Sequence, residues 1–231
     1  MSSEPAFSMA QRLGAEALGT LLLLASIIGA GIMGEDLAGG NLALVLFAVT
    51  LSVGAVLVVI ILMFGPISGA HFNPAVTFAF YLQGRISLKD AALYVPAQIV
   101  GAVAGTVLTH AMFDRPLFVL SQTARSSSGL WLSEGVATFG LVAAILYILK
   151  WRPAMVPVGV GIYIAAAIWF TGSTAFANPA VTIGRAFTDT FNGIHPDHTG
   201  AFILAELAGA ALAVWVFNWM TRPHGGAQGR I

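Results

Sequence analysis

No cysteine occurs among the 231 residues, so neither a disulfide scaffold nor thiol chemistry is open to this chain. Charge is scarce as well. Only 9% of residues are Asp, Glu, Lys or Arg, against about 25% in soluble domains. Ten basic residues balance ten acidic ones, and a chain of zero net charge offers nothing to attract nucleic acid. No phosphate-cradling glycine loop and no nucleophile–base pair stands out, so the chain does not read as an enzyme and calls for no cofactor. His195 and His198 sit with Asp197 between apolar segments. Two histidines and one aspartate in a loop are ordinarily solvated, and no metal site is assigned.

Apolar residues are abundant. They make up 58% of the chain, mean hydropathy is +0.87, and there are 26 glycines and ten prolines. Both glycine and proline are better tolerated in membrane helices than in soluble ones. A spanning helix needs about 20 mostly apolar residues, and segments near 12–34, 42–64, 90–113, 130–150, 155–172 and 199–220 qualify. Two further apolar pieces, 73–82 and 178–188, are about half that length. The first apolar run, Leu13 to Met33, contains Glu16 and is too long for the core of a signal peptide. It is read as a retained first span.

The string Asn-Pro-Ala-Val-Thr opens both short pieces, as Asn73-Pro74-Ala75-Val76-Thr77 and Asn178-Pro179-Ala180-Val181-Thr182. Asn favours the helix N-cap and Pro the first helical position, so each copy starts a short helix. Other pieces repeat in the same order. Ala-Glu16-Ala-Leu-Gly-Thr pairs with Ser-Glu134-Gly-Val-Ala-Thr, and Ala-Gln98-Ile-Val-Gly-Ala with Ala-Glu206-Leu-Ala-Gly-Ala. With three spans per half the halves lie in opposite orientations. The expectation is one domain over 1–231 built as an inverted repeat, about 10–113 and 130–220, with a solute site at the bilayer midplane.

Basic residues favour cytoplasmic loops. With the N-terminus inside, Arg12, Arg85, Lys89, Lys150, Arg152, Arg222 and Arg230 are cytoplasmic. Arg115, Arg125 and Arg185 are outside with Glu35, Asp36, Asp114, Asp189 and Asp197. A multi-pass protein of the cell's inner (plasma) membrane with both termini cytoplasmic is expected.

These pieces together resemble the major intrinsic proteins, the aquaporins and aquaglyceroporins. The resemblance rests on Ala-Glu16-x-Leu-Gly-Thr, Ser68-Gly-Ala-His-Phe-Asn-Pro-Ala-Val-Thr77, the second Asn178-Pro-Ala, and Gly184 six residues after Asn178. It runs through about residues 10–220. It implies an all-α hourglass of six spans and two re-entrant half-helices, and a pore in each subunit of a homotetramer. Asn73 and Asn178 would then meet at the midplane and donate side-chain hydrogen bonds into the pore. Both half-helix dipoles would point their positive ends there and oppose protons and cations. Glu16 and Glu134 are implied as supports for the non-helical backbone. Gln98 and Glu206 read as interhelical hydrogen bonders, and Gly101-to-Gly105 and Ala208-to-Ala213 as close-packing surfaces. His71 has two readings, a titrating residue at the cytoplasmic mouth or a neutral holder of the loop.

The sequence departs from the family at position 181. Most members carry an arginine after the second Asn-Pro-Ala, in the narrowest and most polar constriction, where Val181 stands here. The family pattern places the other constriction positions near Val53, Ala166 and Ala175. A water-selective pore resembles a tight ring with Phe, His and Arg, whereas this set is apolar. Arg185 stands where the family usually has proline. It either holds its guanidinium in the outer vestibule, one helical turn beyond Val181, or faces outward in an ion pair with Asp189. The sequence therefore predicts a passive channel for small uncharged solutes, with water, in contact with membrane lipid. Glycerol-like polyols, urea and undissociated metalloid hydroxides such as arsenous acid are the candidates, and bacterial members with an apolar residue at this place resemble metalloid channels. A water-selective channel and a secondary transporter built on inverted repeats are the alternatives, with a membrane junction protein as a third class.

Overall fold

The computed structural model describes residues 7–222 and holds eight α-helices: α1 Met9–Leu37, α2 Leu42–Ser68, α3 Pro74–Leu82, α4 Leu88–Met112, α5 Ser128–Trp151, α6 Val156–Phe170, α7 Pro179–Arg185 and α8 Pro196–Met220. Six are long and apolar enough to cross a membrane, the fifth counted with the short 3₁₀ turn Pro153–Met155 that leads into α6. The other two, α3 and α7, are the short pieces opened by the repeated Asn-Pro-Ala. The charge at Arg230 and the chain ends lie outside the described residues.

Local caps explain where the elements begin. Ser8 accepts from the Gln11 amide while Gln11 reaches back to the Ser8 amide, a capping box that starts α1 before its apolar run. Asn41, Ser87 and Ser127 cap α2, α4 and α5 by accepting from Ala43, Asp90 and Leu130. His195 caps α8, accepting at Nδ1 from the Asp197 amide. The segment expected to run to 188 is helical only to Arg185. Beyond it the carbonyls of Arg185 and Ala186 turn to accept from Ile194 and Ser121, tying the end of α7 to the flanking loops.

The spans form two matching groups. α1 packs on α2 and α4, α5 packs on α6 and α8, and α2 meets α6 across the join. Small residues set these separations. A Cβ at Gly101 or Gly105 of α4 would overlap the Ala17 or Leu21 carbonyl of α1, and one at Gly209 of α8 would overlap the Gly135 carbonyl of α5. The same close approach thus recurs at corresponding places in the two halves. Between the groups, α3 and α7 enter from opposite sides and meet end to end. The buried apolar core, with Leu24, Ile28, Ile60, Phe72, Val76 and Val181 among its members, surrounds their junction.

Candidate pore and its constriction

The junction of the two half-helices is a reciprocal hydrogen-bonded pair. Asn73 Oδ1 accepts from the Ala75 and Val76 amides at 2.8 and 3.4 Å, closing the start of α3. Asn178 Oδ1 does the same for Ala180 and Val181 at 3.0 and 3.3 Å. Each side-chain nitrogen crosses to the other repeat, Asn73 Nδ2 to the Ala177 carbonyl at 2.7 Å and Asn178 Nδ2 to the Phe72 carbonyl at 2.8 Å. An amide nitrogen carries two hydrogens, so each asparagine keeps one N–H beyond that bond. Both side chains border a cavity of about 560 Å³. Pro74 and Pro179 occupy the first helical positions, where a missing N–H costs nothing.

The backbone leading into each asparagine is irregular. Ala70, Phe72, Thr174, Ala175 and Ala177 have positive φ, between 48° and 65°, a left-handed conformation uncommon for residues with a Cβ. Buried carboxylates hold it. Glu16 accepts from the His71 amide at 3.0 Å, the Phe72 amide at 2.7 Å, the Ser68 hydroxyl at 2.6 Å and Gln98 Nε2 at 2.8 Å. Glu134 accepts from the Phe176 and Ala177 amides at 3.0 and 2.7 Å. Irregular backbone inside a membrane needs this satisfaction from protein or water. Gln98 also donates to Thr77 Oγ1 at 2.9 Å, and Glu206 Oε1 accepts from the Asn178 amide and Thr182 Oγ1 at 3.2 and 2.7 Å. His71 both borders the cavity and lies 3.1 Å from Thr77 Oγ1 through Nδ1, its ring against Phe80 and Tyr94.

On the α7 side of the junction the cavity wall is mostly apolar. Val53, Ala175 and Val181 line it and are 3%, 6% and 1% exposed. Ala166 does not. It is exposed on the outer face of α6, and Ile164 and Ile168 line the cavity instead. The correction follows from helical geometry, since two residues are about 200° of rotation and reverse the face. Lining residues Pro157, Val160, Ile164 and Ile168 keep the three- and four-residue spacing of one α6 stripe. The wall therefore carries a larger aliphatic group than alanine at this position.

Arg185 lies inward. It is 3% exposed and lines the cavity from the last turn of α7, on the same helix as Val181 and four residues beyond it. Nε donates to the Asn192 carbonyl, and the guanidinium carbon sits 3.4 Å from the centre of the Phe176 ring. Nη2 is buried without a hydrogen-bond partner. Asp189, the alternative partner, instead accepts from the Gln122 amide at 2.9 Å.

Three further residues complete this end, and local sequence patterns gave no sign of them. Phe176 presents its ring to Arg185 and, at 5.3 Å, to the Arg125 guanidinium. Arg125 fastens the loop by donating to the Gly193 and Phe191 carbonyls at 2.8 and 3.1 Å. Asn192 lines the cavity and donates from Nδ2 to the Ile27 carbonyl at 2.8 Å, in space left by Gly31 of α1. Away from the cavity, His198 Nδ1 accepts from the Arg125 amide at 3.1 Å. Among the described residues no group of three or more His, Asp or Glu side chains is placed to hold a metal.

The profile of the family described as major intrinsic protein matches residues 3–217. The chain is 51% identical to the aquaglyceroporin AqpS of Rhizobium meliloti (strain 1021), over 94% of this chain and 93% of that one. It is 32% identical to aquaporin TIP1-2 of Zea mays, over 91% and 87%. Among solved structures, the X-ray structure of the aquaglyceroporin from Plasmodium falciparum superposes with a TM-score of 0.75 at 23% identity, covering 91% of this chain and 96% of that one. That likeness speaks to the fold. Six apolar spans, two half-helices meeting at paired asparagines and a profile match through nearly the whole chain converge on one conclusion: the chain belongs to the major intrinsic protein family.

Proposed function

We propose that this membrane channel for small neutral solutes passes molecules larger than water, namely glycerol-like polyols, urea and undissociated metalloid hydroxides such as arsenous acid, together with water. The observation that carries the reading is the make-up of the α7-side wall. Val181 stands where most of the family carries arginine, and Val53, Ala175 and Ile168 complete an apolar ring. The cationic group comes from Arg185, one turn along the same helix. Its guanidinium makes one hydrogen bond to the protein, from Nε to the Asn192 carbonyl, and borders the cavity as a donor beside the apolar ring. A solute with hydroxyl or amide groups can shed water against that donor and the two asparagine N–H groups while its carbon or metalloid face slides on aliphatic side chains.

The lining supports a channel over a coupled transporter. His71 and Arg185 are its ionisable members among the described residues, and no carboxylate borders the cavity to carry a coupling proton or sodium ion. Placing the N-terminus inside puts Arg85 of the α3–α4 loop and Lys89 at the start of α4 in the cytoplasm and the Arg185 end of the cavity outside. The cell's inner (plasma) membrane and a homotetramer, with one pore per subunit, complete the reading.

Stopped-flow light scattering on proteoliposomes tests the ring. Val181→Arg narrows it and should lower glycerol and urea permeability by at least about tenfold, a barrier increase of about 1.4 kcal/mol, while water falls less. Unchanged glycerol and urea flux in a correctly folded variant would remove Val181 from the constriction.

A further inference from the structure

The two repeats differ where α5 and α8 support the second asparagine. In the first repeat the carboxylate of Glu16 faces an amide, and Gln98 Nε2 donates to it at 2.8 Å. In the second repeat the corresponding pair is Glu134 and Glu206, two completely buried carboxyl groups that accept from the successive backbone amides of Ala177 and Asn178. Glu134 uses one oxygen for each of the Phe176 and Ala177 amides. Glu206 uses Oε1 for the Asn178 amide and the Thr182 hydroxyl, and its Oε2 has no donor. Thr138 Oγ1 and Arg185 Nη2 are also buried without a partner, and neither is hydrogen-bonded to these oxygens. An ionised carboxylate only accepts, and two ionised carboxylates side by side in a buried site repel strongly.

We propose that Glu134 and Glu206 share one proton, carried on Glu206 Oε2 and donated to Glu134, and that this protonated pair positions Asn178 and the start of α7. The charged groups facing the pair are Arg185 from α7 and Arg125 from the α4–α5 loop, and both act on it through space. Their hydrogen bonds go to backbone carbonyls, and neither guanidinium bonds Glu206 Oε2. The pair then reproduces the Gln98–Glu16 arrangement of the first repeat, with a carboxylic O–H in place of an amide N–H. Glu206 touches no cavity atom, so it is a positioning residue. It sets the Asn178 amide, whose own side chain lines the pore.

The substitution Glu206→Gln supplies the donor permanently and keeps Oε1 for Asn178 and Thr182. It should fold, keep its neutral-pH melting temperature within a few degrees, and conduct as the unaltered protein does. Glu134→Gln places an amide N–H₂ against a backbone N–H of Phe176 or Ala177, and its melting temperature should fall clearly. The infrared spectrum of the unaltered protein at neutral pH should contain a protonated-carboxyl C=O band that shifts in D₂O, and Glu206→Gln should lose it. No protonated-carboxyl band in the unaltered protein, a band that survives Glu206→Gln, or the reverse order of tolerance between the two glutamine variants would each overturn the shared proton.

Discussion

In the proposed pore, Arg185 and Val181 divide at the level of single side chains what one arginine does in most of the family: the charge is assigned to one, the ring position to the other. If Arg185 is the donor at the outer end of the pore, Arg185→Ala should lower urea and glycerol permeability severalfold relative to water, with the helices intact by circular dichroism. Unaltered permeability and selectivity in that variant would leave Arg185 as a clasp on the Asn192 loop and nothing more. The asparagine caps were legible in the sequence because capping is local: Asn73 and Asn178 bond amides two and three residues ahead. Arg185 was partly legible, since a four-residue offset on one helix fixes its face but not what it stacks on. Phe176 and Asn192 were not legible. The bond from Asn192 to Ile27 joins positions 165 residues apart, and no short-range pattern records such a contact. Ala166 was misplaced for a related reason. Counting back through the irregular segment 171–177 fixed the element but not its rotation, and a two-residue error turns α6 to its opposite face.

The half-helices depend on groups supplied by their neighbours. Glu16 serves two backbone amides, a hydroxyl and a side-chain amide, so Glu16→Ala strands buried donors at about 1–3 kcal/mol apiece. The expected outcome is a sharp fall in melting temperature in detergent or loss of folded protein, and a variant as stable as the original would contradict the support role. Gly101→Val probes the α1–α4 approach. Its Cβ would already overlap the Ala17 carbonyl, and overpacking of this kind costs about 1–3 kcal/mol or more. Size-exclusion profiles and thermal scans should show destabilisation, whereas Gly14→Val, on a position with nothing within 4 Å, should not. Long elements were the most legible of all, because six apolar runs of spanning length leave little choice of state. Their ends were less so. α1 begins at Met9 because Ser8 and Gln11 close a capping box outside the apolar run, and α7 stops at Arg185 because loop amides claim its last carbonyls.

Across the whole molecule, the opposed half-helices bring two positive helix ends, each worth about half an elementary charge, to the same midplane as the two asparagines. With Arg185 they make up the proposed barrier to cations and protons. Replacing both asparagines, Asn73→Asp with Asn178→Asp, should admit sodium ions in vesicle flux assays, and a folded double variant that stays cation-tight would count against the midplane barrier. The proposed orientation has its own test, aided by the absence of native cysteine. An impermeant maleimide should label Ser126→Cys in intact cells and Leu88→Cys only after permeabilisation; the opposite pattern would invert the channel. The central claim is passive conduction of neutral solutes larger than water. The measurement closest to it is a stopped-flow panel of water, glycerol, urea and arsenous acid on one proteoliposome preparation, with and without imposed proton and sodium gradients. The account predicts permeability above protein-free vesicles for water and at least one larger solute, proportional to the solute gradient and indifferent to either ion gradient. Water flux alone, or solute flux that follows an ion gradient, would contradict it.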